Sequence, residues 1–106
     1  MCDAAKVRAL NDEFRQSLNG GRVVATRGIL ALPDLHIIIR RVQEFADFTE
    51  DNDPYHEHDF GFFTYDDQQV FWKIDAYDLD LQFGSPDPAD SSVTTRVMTV
   101  MLAEEY

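Results

Sequence analysis

Seven side chains that can bind a cation or move a proton stand close together at the middle of the chain: Glu50, Asp51, Asp53, His56, Glu57, His58 and Asp59. Carboxylate oxygens and imidazole nitrogens are ligands for divalent ions, and His56-x-His58 on an extended segment would present both rings to one side. The spacing fits no established cage. Asp51 and Asp53 lack the glycine and closing glutamate of an EF-hand loop, and no helical HExxH occurs. These residues therefore read as a polar loop whose acids are solvated or cap nearby backbone, with no metal and no other cofactor expected. Crowded carboxylates can also divide acid and base roles by raising one another's pKa. Nothing else of a catalytic constellation accompanies them: no glycine-rich phosphate loop, no nucleophile elbow and no CxxC. The lone thiol, Cys2, sits near the N-terminus without a fixed base, and no catalytic residue is assigned.

The charge of the whole chain is divided lengthwise. Residues 1–43 hold seven Lys/Arg against four Asp/Glu, and residues 44–106 hold two (Lys73, Arg96) against sixteen, so +3 and −14 sum to the formal net charge of −11. Phosphate neutralisation needs a basic footprint, so direct nucleic-acid binding is disfavoured, and Arg22, Arg27, Arg40 and Arg41 make at most a small basic patch. The attracted partners are cationic. Side chains at i and i+2 of a strand lie about 6.6 Å apart, comparable to two phosphate steps of about 3.4 Å along a duplex. Asp78 and Asp80 have that spacing, and Asp66, Asp67, Asp75, Asp87 and Asp90 extend the array.

The elements that must position these acids follow from periodicity. At 106 residues, 44% of them hydrophobic, the chain suits one soluble domain, 1–106, that builds a core without disulfides. Val7, Leu10, Phe14 and Leu18 predict a helix from about Asp3 to Leu18, closed by Asn19-Gly20-Gly21. Arg22 to Arg27 reads as a strand. Pro33 and Asp34 open a second helix with Leu35, Ile38, Val42 and Phe45 as its buried stripe. Thr49 to His58 is a loop. Phe60 to Tyr65 and Val70 to Tyr77 alternate as a hairpin around Asp66 to Gln69. A bend near Tyr77 and Asp78 would return Leu79, Leu81 and Phe83 to the buried side, and Gly84 to Pro88 is a loop. Val93, Val97, Val100 and Met101 predict a last helix from about Ser91. The expected fold is α+β, a small antiparallel sheet of three or four strands with three helices, in the order α-β-α-β-β-(β)-α. No apolar run approaches a membrane span, which points to the cytoplasm.

Three stretches, DNDPYHEHDFG at Asp51–Gly61, FWKIDAYD at Phe71–Asp78, and GSPDPAD through TRVMTVMLAEEY from Gly84 to Tyr106, with NDEFR near the start, carry a resemblance across almost the whole chain. They resemble a domain-of-unknown-function family of small acidic proteins from alphaproteobacterial plasmids and integrated elements. The chain departs from that pattern at His56, where glycine is usual, and at Ala76, where a second aromatic is usual. The resemblance implies no established chemistry, but a mobile-element setting implies an anti-defence role by analogy. The leading expectation is a non-catalytic, anti-CRISPR-like inhibitor whose acidic face occupies the basic nucleic-acid groove of a bacterial defence effector, in a bacterial or host cytoplasm. Asp51, Asp53, Glu57, Asp66, Asp67, Asp75, Asp78 and Asp80 are its expected partner-binding acids, with Tyr55 or Tyr77 as aromatic anchors. Two other readings stay open: a metal-dependent enzyme or metal-binding protein using His56, His58 and Asp59, and an antitoxin-like or structural adaptor.

Overall fold

A computed structural model describes residues 3–106, so Cys2 lies outside the described residues. Helix α1 (Ala4–Ser17) starts where an Asp3 carboxylate oxygen accepts from the amides of Ala5 and Lys6 at 3.1 and 3.3 Å, filling donors that the first turn leaves without helical partners. It ends at Leu18, whose φ of 63° makes it the left-handed cap ahead of the glycines expected in that role. Strand β1 (Gly21–Ala25) runs into a single turn, α2 (Arg27–Leu30), too short to show a period in the sequence. Helix α3 (Leu35–Gln43) follows with Asp34 as N-cap and Pro33 just outside. Its stripe buries Ile38 and Val42 fully and Phe45 in part, but Leu35, expected in that stripe, is exposed in the first turn.

Strands β2 (Phe60–Tyr65) and β3 (Gln68–Tyr77) form the expected hairpin, but its loop is only Asp66-Asp67. Both aspartates have positive φ, 52° and 61°, the mirror-image turn whose twist matches that of the flanking strands. The chain then bends at Asp78, where the Asp78 amide donates to the Phe83 carbonyl and the Gln82 amide to the Asp78 carboxylate. The bend does not return the apolar residues to the core: Leu79 and Phe83 are exposed.

The last segment is a correction. In place of a helix from Ser91, a short 3-10 turn (Ser91–Val93) leads into strand β4 (Thr95–Leu102). Arg96, Met98, Val100 and Leu102 share one face of it and Thr95, Val97, Thr99 and Met101 the other, so period two prevails in a run rich in Val and Thr. The polar Arg96 on the inward face breaks the apolar alternation, and the Val93/Val97/Val100 spacing imitates a helix. The sheet order is β1-β4-β3-β2. β4 pairs antiparallel with β3 and parallel with β1, so the sheet is mixed where an antiparallel one was expected. The fold is α+β. Val70, Trp72 and Ile74 of β3 and Met98, Val100 and Leu102 of β4 form the inward face, covered by Phe14, Ile29, Ile38 and Val42 from the helices. Among the described residues no helix is long and apolar enough to cross a membrane.

Candidate binding surface

Because Trp72 points into the core, alternation and register turn Phe71, Lys73, Asp75 and Tyr77 of β3 outward, together with Phe60 and Phe62 of β2 and Met101 of β4. None of α1 to α3 covers this face, but the C-terminal 3-10 turn (Ala103–Glu105) and Tyr106 fold back over its β3–β4 part and bury Met101. Four rings meet on it: Phe71 packs edge-on against Phe60 at 5.3 Å between centroids, lies 5.8 Å from Phe62, and packs against Tyr106 at 5.7 Å. Phe62 and Tyr106 remain 42% and 74% exposed, leaving a wet aromatic patch of the kind that anchors contacts.

Acids bracket the patch lengthwise. Asp66 and Asp67 sit at the hairpin turn, one end of β3, and Asp75, Asp78 and Asp80 at or beyond the other. Ten residues of strand put these ends about 30 Å apart. The expected acids therefore form two poles along one stripe rather than one focus. The Asp78 bend adds exposed Leu79 and Phe83 to its pole. Asp75 is engaged by Lys73 at 3.1 Å, and this hydrogen bond holds the Lys73 ammonium above its ordinary pKa.

The loop before β2 is fixed by a polar stripe on α1, at helical spacing i, i+3, i+4, i+7. Arg8 donates to the His56 carbonyl at 3.0 Å, Asn11 to the Glu57 carbonyl at 2.9 Å, and Arg15 to the Phe45 carbonyl at 3.2 Å, while Asp12 pairs with His58 Nδ1 at 2.9 Å. Arg15 is 1% exposed, paired with Asp12 and lying over the rings of Phe48 and Trp72 at 5.3 and 5.0 Å, which compensates its charge inside the protein. Asp53 is also inside, 3% exposed, with Oδ1 accepting from the Glu57 and His58 amides. It is a cap within the loop and presents no outward charge.

His56 and His58 do not face one side, because both have positive φ and the segment is not extended. The His58 ring stacks on Phe48 at 3.7 Å with Asp12 and Asp53 at its two nitrogens; His56 is exposed. Among the described residues no group of three or more His, Cys, Asp or Glu is arranged to hold a metal ion. Glu57 and Asp59 are carboxyls under strain. Burial pushes Glu57 up, with Asp59 and Asp53 adding repulsion, and burial pushes Asp59 up, with Asp53 and Asp75 adding to it. Asp51 and Tyr55 are exposed on the loop, and Tyr77 is half-buried on the sheet face.

The outward-facing rings Phe60, Phe62, Phe71 and Tyr106 were not among the residues expected to bind. For three of them the signal was present: in β2 and β3 Phe60, Phe62 and Phe71 alternate with the core residues Gly61 and Trp72. The family model described as "Protein of unknown function (DUF3768)" matches residues 25–105, from the end of β1 through the last turn. The chain belongs to the DUF3768 family. No curated protein and no solved structure matches the chain significantly. This DUF3768 member thus carries, within the matched region, both acidic poles and all of the aromatic patch except Tyr106.

Proposed function

We propose that this protein is a non-catalytic binder that docks the outward face of its sheet on the basic, nucleic-acid-binding surface of another protein, and that its partner is a bacterial defence effector of the CRISPR type. The observation that carries the reading is the aromatic patch of Phe60, Phe62, Phe71 and Tyr106, open to solvent at Phe62 and Tyr106, with acids at both ends. Desolvated rings supply affinity in such contacts, and flanking charge supplies approach rate and register. The partner class rests on the acidic surplus and on the resemblance to proteins of plasmids and integrated elements, and it places the action in the bacterial cytoplasm. Asp66, Asp67, Asp75, Asp78 and Asp80 are the contacting acids in this reading. The test is binding of the purified protein to a purified effector complex, measured against salt. Affinity that falls steeply between low and physiological salt, and weakens with Phe62→Ala, is expected; binding unaffected by either change contradicts the reading.

A further inference from the structure

The sheet has two edges, and the fold treats them differently. Along β2, Arg41 from α3 donates to the outward Thr64 carbonyl at 2.8 Å and lies 4.4 Å over the Phe63 ring, a charged guard of the sort that stops an edge from adding strands. β1 has no side chain from another element laid across it in this way among the described residues; its own charge is the exposed Arg22, on the outward side of the sheet. The Thr26 amide donates to the Val100 carbonyl at 3.1 Å, so by alternation Arg22 and Val24 turn their backbone groups toward β4, and Gly21, Val23 and Ala25 turn theirs outward. The two central residues of this edge are apolar and solvent-facing, Val23 at 38% and Val24 at 45% exposed.

We infer that β1 is a dimerisation edge, pairing antiparallel with β1 of a second copy about a two-fold axis at Val23 to make one continuous eight-stranded sheet. In that register Val23 faces Val23 of the other copy and Gly21 faces Ala25, so every outward N–H and C=O of the strand meets a partner. Arg22 faces Val24 of the other copy, on the same side of the sheet, where its aliphatic stem covers the valine. The register is self-complementary, as a two-fold interface requires. The acidic surplus does not stand against a second copy at this edge, because β1 lies outside the part of the sequence carrying −14. The acid-bearing hairpin lies at the opposite edge. Seven strand spacings of about 4.8 Å separate the two β2 strands of such a pair, about 34 Å, well beyond a screening length of about 8 Å at physiological salt.

The test is sedimentation velocity of the full chain over about a hundredfold range of concentration, with Val23→Pro as the decisive variant. Proline at Val23 removes only an outward N–H and is compatible with an edge position. A dimer for the wild type and a monomer with native circular dichroism for Val23→Pro are expected. A wild type that stays monomeric, or a Val23→Pro protein that still dimerises, overturns the inference. If Val23→Pro loses the native spectrum, hydrogen exchange of the wild-type Val23 amide decides: slowing as concentration rises supports the pairing, and exchange independent of concentration overturns it.

Discussion

Gly61 shows how one residue sets the packing beneath the binding face. A Cβ there would stand 2.6 Å from Trp72 Nε1 and 2.7 Å from the Phe45 ring, both packed side chains with no room to retreat. Gly61→Ala is expected to cost about 1–3 kcal/mol, read as a thermal midpoint lowered by about 4–8 °C per kcal/mol for a domain of this size. Asp53 is a second such residue. Removing the acceptor of two loop amides in Asp53→Ala should cost about 1–3 kcal/mol of stability, measured by urea unfolding, because its role is inside the loop. Glu57 and Asp59 act in the other direction. Burial raises both carboxyls in the folded protein, so the native state binds their protons more tightly than the unfolded chain does. Their contribution favours folding below the ordinary carboxyl range and is lost as pH rises through the raised folded values. Asp59→Asn should therefore stabilise the protein at neutral pH and bring no gain near pH 3, as thermal melts across that range will show.

At the scale of elements, β4 and β3 are the two inner strands, and β4 has Met98 and Val100 fully buried. Its amides should exchange among the slowest in the molecule, together with those of β3, while those of the four-residue α2 exchange early; rapid exchange over Met98–Val100 would contradict its place in the sheet. The helices α1 and α3 and the hairpin were legible from their periods because most of their apolar residues fall on one face. β4 was not, since Arg96 occupies an inward position and is held there by the nearby Pro88 carbonyl and by Asn11 at 2.7 Å, a partner at the other end of the chain. The loop lock on α1 was hidden for a related reason. Arg8, Asn11, Asp12 and Arg15 form a helical stripe, but it is polar, and their partners are backbone carbonyls and a histidine more than twenty residues away. The acids were legible as residues, while their division into two poles depended on the length of β3.

For the whole molecule, the lengthwise division of charge is kept only in part: Arg22 lies on the β1 edge, but Arg41 sits against the β2 edge beside the acidic hairpin, and the acids at the two ends of β3 bracket the outward rings. That arrangement presents an elongated face, acid to aromatic to acid, in a body with principal extents of 39 × 30 × 23 Å. Reversing Asp78 and Asp80 to lysine should slow association with a basic partner and reduce its salt dependence, and reversing Glu13 on α1 should do neither; stopped-flow association rates compare them. The central claim is tested most directly by loading of target DNA onto a purified CRISPR effector complex with the protein in excess. The wild type should block loading, and Phe62→Ala combined with Phe71→Ala should restore it while the fold persists. Normal loading in the presence of excess wild-type protein would contradict the account.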